Sequence, residues 1–147
     1  MKILVGVDDS PCSERAVDFV RKMKWPAGSR LLVLSVAHIP VPVTGDLYGG
    51  EQAAVGISSE VERKNHQTLA DRVQSTLREA GLATECRVTV GDPRVDLVEL
   101  AKTERADLIV VGSHGRTGLG KLLLGSVASH VVTHAPCSVL VVKQSPV

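Results

Sequence analysis

The sequence predicts a single α/β domain spanning 1–147, with helices on both faces of an open, parallel, five-stranded sheet. Three observations lead there. Short β-branched runs and helical patterns alternate as β-α-β-α-β-α-β-α-β, without an internal repeat. The runs Ile3 to Val7, Leu31 to Val36 and Leu108 to Val111 are dominated by apolar residues without alternation, as strands covered on both faces are. The third of them ends in a glycine-rich loop, GSHGRTGLGKLLLGSVA, at the kind of strand end where α/β sheets bind ligands.

Each element has its own signal. After Ile3 to Val7, the turn Asp8-Asp9-Ser10-Pro11 offers Ser10 as an N-cap and Pro11 as a first helical residue. Ala16, Val17, Val20 and Met23 continue as a helical stripe to about Lys24, and Trp25-Pro26-Ala27-Gly28 breaks it. The second strand, Leu31 to Val36, ends on Ala37 and His38. From Ile39 to Ser58 prolines and glycines recur with no steady period, which reads as a long loop, functional or mobile. A long amphipathic helix is expected from near Ser59 through Leu69, Ala70, Val73, Leu77 and Ala80, stopped by Gly81. Ala83 to Val90 alternates partly and reads as a more exposed edge strand. Asp92 and Pro93 then open a helix carrying Val95, Val98, Leu100 and Ala101. Beyond the fourth strand and its loop, a helix through Val127, Val131 and Val132 precedes the last strand, Ser138 to Val142.

Composition removes several function classes. A net charge of +1 gives no field to draw nucleic acid or anionic membrane. Aromatics are 2% of residues, too few for a base-stacking platform. Cys12, Cys86 and Cys137 are isolated and odd in number, which argues against a disulfide framework or a zinc site and suits a reducing compartment. The opening MKILVGVDDS is too short in its apolar part for a secretory signal, and no run approaches a membrane span. The expected location is cytoplasmic.

The glycine loop carries the chemistry. Glycines stand at 112, 115, 118, 120 and 125, with Arg116 and Lys121 among them and Ser126 after the last. Main chain free of Cβ lets a larger group approach closely, and a helix N-terminus favours anions, so the stretch reads as a phosphate cradle. Gly115 to Lys121 matches G-x-x-x-x-G-K, but Leu122 stands where a P-loop needs a hydroxyl for Mg²⁺. The dinucleotide fingerprint fits less well, because its glycine spacing is reversed and the loop lies outside the first βαβ unit. Gly118 and Gly120 also serve simply to turn the chain, and Lys121 reads more naturally as a solvated residue than a phosphate clamp. His130 and His134 have the spacing of two metal ligands on one helical face, but H-V-V-T-H lacks the glutamate and third ligand of a zinc motif. Cys12 lies near a helix N-terminus, where thiols gain reactivity, with no cysteine to pair with.

Gly112-x2-Gly115-x9-Gly125-Ser126, followed by Val127 and later APCSVLVVK, resembles the nucleotide-binding signature of the universal stress protein family, in its ATP-binding subgroup. The opening ILVGVDDSPCSERAV resembles that family's first strand and turn, so the likeness spans nearly the whole chain. The resemblance implies a Rossmann-like sheet of the adenine nucleotide alpha hydrolase type, with strand order 3-2-1-4-5. It implies ATP as ligand, with or without Mg²⁺. Asp8, with its neighbours Val7 and Ser10, and the second-strand residues Val36 and Ala37 would hold the adenosine end. Val111, Gly112, Gly115 and Arg116 on one side, and Gly125 and Ser126, with Val127 beside them, on the other, would hold the phosphates; His114, inside the cradle, either orients the loop, touches phosphate or is simply an exposed loop histidine. Asp9 departs from the pattern, since the family often has glycine there. A second carboxylate at that point either repels phosphate or helps to hold a divalent ion.

Three functions are then in play. The leading one is a nucleotide-dependent stress-response or signalling module that binds ATP. The others are a slow ATP-hydrolysing enzyme and a family member that binds no nucleotide. No acid–histidine or acid–lysine constellation at a telling spacing lies outside the cradle, so no catalytic residue is assigned. Strand Val139–Val142 would lie at a sheet edge, and the resemblance implies a homodimer through it.

Overall fold

The structure is a computed structural model that describes residues 1–38, 49–115 and 124–144, with the side chains of 49–57 outside the description. Its elements run β1 (Lys2–Val7), α1 (Pro11–Lys22), β2 (Arg30–Ala37), α2 (Gly49–Glu79), β3 (Ala83–Val90), α3 (Pro93–Thr103), β4 (Leu108–Gly112), α4 (Ser126–His134) and β5 (Ser138–Val142). All five strands are parallel in the order β3-β2-β1-β4-β5, so β1 lies between β2 and β4. The register pairs Val7 with Ser35, Val5 with Val110, and Gly112 with Val142.

Alternation along the central strands feeds two cores. Ile3, Val5, Val7, Leu31, Val33 and Val110 meet Ala16, Val17 and Val20 of α1 and Leu69, Val73 and Leu77 of α2. Leu4, Leu32, Leu34, Val36, Ile109 and Val111 meet Leu97, Val98 and Ala101 of α3 and Ala128 and Val131 of α4. That is why β1, β2 and β4 show no polar alternation: both of their faces are buried. The edge strand β3 alternates, with Thr84 buried and Glu85 and Arg87 exposed.

The expected loop over 39–58 needs correction. Helix α2 begins at Gly49, ten residues before the expected start near Ser59, and only 39–48 of that stretch lies outside the described residues. The prolines stop at Pro42, and Glu51-Gln52-Ala53-Ala54 are strong helix formers that outweigh the neighbouring glycines. Met23, Val95 and Val132 were expected on packed stripes but are 40%, 49% and 50% exposed. Met23 caps α1 instead of lying within it, and Leu97 fills the α3 core. Gly81 does end α2: at φ 84° it turns left-handed while Leu82 N–H reaches back to the Leu77 carbonyl at 3.1 Å. Among the described residues no helix is long and apolar enough to cross a membrane.

Candidate functional site

The carboxyl ends of β1 and β4 lie side by side, and each strand hands over to a loop there. On the β1 side the turn is organised by Ser10, which is 2% exposed. Its Oγ accepts the Ser13 N–H at 3.2 Å, the N-cap bond of α1. The same hydroxyl lies 2.5 Å from Asp8 Oδ1 and 3.3 Å from the His114 carbonyl oxygen. It has one proton, and the shorter, charge-assisted bond to the carboxylate takes it. Asp8 Oδ1 also accepts the Ser10 N–H at 3.0 Å, and the Asp8 N–H donates to Ser13 Oγ at 3.0 Å. Asp8 is thus held through one carboxylate oxygen, and its other oxygen faces the β4 loop.

Facing it is Gly115. A Cβ there would stand 2.9 Å from Asp8 Oδ2, so glycine keeps the space beside the carboxylate clear. Gly112 has a different task. A Cβ at 112 would meet the main-chain carbon of Cys12 at 2.8 Å, so this glycine seats the start of α1 against the end of β4. The space over its Cα belongs to α1, so any part it takes on the phosphate side falls to its main chain. The loop closes where Gly125 N–H donates to the Ser113 carbonyl at 2.8 Å. Gly125 is the N-cap of α4, and no side chain caps that helix. The first-turn amides have no partner within the helix, and they start from this point. His114 lies between the two sides. Its Nδ1 is 3.1 Å from Ser113 Oγ, and among the described residues its buried Nε2 has no hydrogen-bond partner.

The other expected residues divide plainly. Val7, Val36 and Val111 bury their side chains in the two cores, and Val127 packs against the α3–α4 core, so each offers the cleft main chain only. Ala37 ends β2 and its carbonyl accepts the Gly91 N–H at 3.0 Å. Ser126 is exposed as the first residue of α4. Arg116, Gly118, Gly120 and Lys121 lie outside the described residues. Asp9 is exposed, so the inward carboxylate of the turn is that of Asp8. The rings of His130 and His134 stack at 4.1 Å, with His134 Nδ1 bonded to the His130 carbonyl. Among the described residues no three His, Cys, Asp or Glu side chains gather to hold a metal. Cys12 is buried, with Ser113 Oγ 3.7 Å from its sulfur. Beyond the β3 end, hydrogen bonds from the Arg94 guanidinium hold the Asp92 carboxyl at about 2, well below its usual range.

Sequence reading missed one polar cluster beneath the cleft. Ser35, fully buried on β2, places its Oγ 2.7 Å from His66 Nδ1 on α2 and 3.2 Å from the Val7 carbonyl oxygen. Glu62 lies one turn before His66, its carboxylate 3.8 Å from Nε2. Although serine, histidine and glutamate meet here, a hydroxyl without solvent exposure offers no approach to a substrate, and the cluster is not a nucleophilic site. One clue was available: a lone serine in LLVLSVA, inside a doubly covered strand, must find a polar partner.

Known proteins resemble this chain over nearly its whole length. The model of the universal stress protein family matches residues 1–143. A universal stress protein of Synechocystis is 32% identical, with 97% of each chain covered. A universal stress protein solved in complex with cAMP is 28% identical, with a TM-score of 0.65 over 99% of this chain and 98% of that one. The universal stress protein of Archaeoglobus fulgidus in complex with dAMP is 25% identical, with a TM-score of 0.65 over 97% and 98% of the two chains. With sheet order and whole-length similarity in agreement, the chain belongs to the universal stress protein family.

Proposed function

We propose that this chain binds an adenine nucleotide, ATP in particular, in the cleft between the β1 turn and the β4 loop, and acts as a nucleotide-dependent stress-response module. The observation that carries the reading is the empty-sided pairing of Asp8 and Gly115: a carboxylate fixed through one oxygen faces a position that only glycine leaves open. The cAMP and dAMP complexes of related proteins support the ligand class. A carboxylate accepts hydrogen bonds from ribose hydroxyls or the adenine amino group. The amides at Gly115 and at the uncapped start of α4, the Ser126 hydroxyl and Arg116 suit phosphate oxygens. The buried Nε2 of His114 is a polar atom that a ligand could satisfy. A divalent ion such as Mg²⁺ would be held chiefly by the phosphates. The protein is read as a binder and at most a slow ATPase, cytoplasmic, and homodimeric through β5, which forms one edge of the sheet. No partnership with nucleic acid or membrane is assigned.

Calorimetric titration with ATP of the unaltered protein and of Gly115→Val tests the reading. The valine starts 2.9 Å from Asp8 Oδ2 and fills the cleft, so affinity should fall by about tenfold or more, or 1.4 kcal/mol. Equal affinities would sink the assignment. Phosphate release as fast as about 1 s⁻¹ would make the protein an enzyme instead.

A further inference from the structure

We infer that His66 is a positioning residue for the nucleotide cleft, acting through Ser35 on the peptide unit that carries Asp8. This rests on the nucleotide-binding reading above. The Val7–Asp8 peptide is held at both ends by buried hydroxyls. Its carbonyl lies 3.2 Å from Ser35 Oγ, and its N–H donates to Ser13 Oγ at 3.0 Å. Ser13 belongs to α1 and is 4% exposed, while Ser35 is 0% exposed on β2. Together they fix the plane of the peptide, and with it the direction in which the Asp8 side chain leaves the main chain.

Ser35 is itself steered from α2. A serine hydroxyl has one proton, and two acceptors compete for it here: the Val7 carbonyl and His66 Nδ1, the latter at 2.7 Å. When His66 carries a proton on Nδ1, the ring donates to Ser35 and Ser35 donates to Val7, so both contacts are satisfied at once. When Nδ1 is bare, the hydroxyl turns its proton to the ring and the Val7 carbonyl loses it. The proton position on a ring that is 7% exposed, with the Glu62 carboxylate 3.8 Å from its other nitrogen, therefore decides whether the Val7 carbonyl keeps its Ser35 bond, while Ser13 holds the N–H in either case. Outer partners of this kind orient the groups that touch a ligand, and removing one commonly weakens binding tenfold or more.

The experiment measures ATP affinity and unfolding stability together for Ser35→Ala, His66→Ala, the double variant and His66→Asn. Positioning predicts that Ser35→Ala loses about tenfold in affinity while still folded, and that His66→Ala, which leaves the hydroxyl without the ring donor that points its proton at Val7, also weakens binding. The double variant should lose no more than the worse single one, because both act through one chain of contacts. Asparagine sets an amide near the place of Nδ1, so His66→Asn should return affinity to within about threefold of the original. A merely structural pair would lower stability and leave the affinity of the folded protein unchanged, which would overturn the inference. Should His66→Ala fail to fold, Ser35→Ala decides alone, since it removes one oxygen and keeps the strand. Failure of the unaltered protein to bind ATP would bring down the nucleotide reading itself, and this inference with it.

Discussion

Replacing Ser10 with alanine removes one atom and three contacts. The first is the N-cap of α1, a 3.2 Å bond from the Ser13 N–H, for which such substitutions cost about 1 kcal/mol. The second is the bond to the Asp8 carboxylate, and hydrogen bonds to charged groups contribute about 1.5 kcal/mol or more. The third, toward the His114 carbonyl at 3.3 Å, shares the same hydroxyl and adds little. Because Asp8 keeps the Ser10 N–H and all terms share one oxygen, they do not sum fully, and the loss should be about 2 kcal/mol. For a chain of 147 residues that lowers the Tm by about 5–8 °C. Urea and thermal unfolding followed by far-UV circular dichroism and Trp25 fluorescence measure it. Ser10→Gly separates the terms, since glycine is nearly as good a cap but makes no side-chain bond to Asp8. A loss below about 0.5 kcal/mol for Ser10→Ala, the range of inert surface changes, would refute the assignment of Ser10 as the hub of the turn.

Three further outcomes are expected. Gly112→Ala forces a methyl to within 2.8 Å of the Cys12 main chain and should destabilise by about 1–3 kcal/mol in denaturant unfolding; a neutral result would mean that α1 is not seated there. Arg105 sits at φ 51° beyond α3, so Arg105→Gly should relieve left-handed strain and raise stability by roughly 0.5–1 kcal/mol, against a loss if the residue's side chain matters more. Asp92 has a depressed folded-state pKa, so its contribution is present above about pH 4 and fades as pH falls toward about 2. Asp92→Asn, which preserves the cap, should flatten the acid limb of a stability-against-pH curve in that window; an unchanged limb would dismiss the Arg94 pairing as its source.

Much of the fold was legible because it depends on local pattern. The mostly apolar, non-alternating runs of β1, β2 and β4 report a sheet covered on both faces, and Ser10-Pro11 and Asp92-Pro93 mark helix starts that the structure shows. Strand order came from resemblance, since no local signal says that β4 inserts beside β1. The early start of α2 was hidden by Gly49, Gly50 and Gly56, whose low helix propensity is overridden in the long helix. At the site, the pairing of Asp8 with the β4 loop came with the resemblance, whereas the split in duty between Gly112 and Gly115 did not. Spacing shows where a side chain is missing and says nothing about what fills the gap. Ser35 and His66 escaped notice for a related reason: they meet across 31 residues, and neither belongs to a motif.

The bare contact between Gly112 and Cys12 acts as a ruler. Two backbones already touching leave no slack in either direction, so the gap between the first and fourth loops is set by the width of the polypeptide itself. Variants of this chain that must take a bulkier guest gain no room by a residue swap at 112, where a Cβ would meet the Cys12 main chain. They are left to adjust the loops beyond it, and the frame stays constant while its furnishings change.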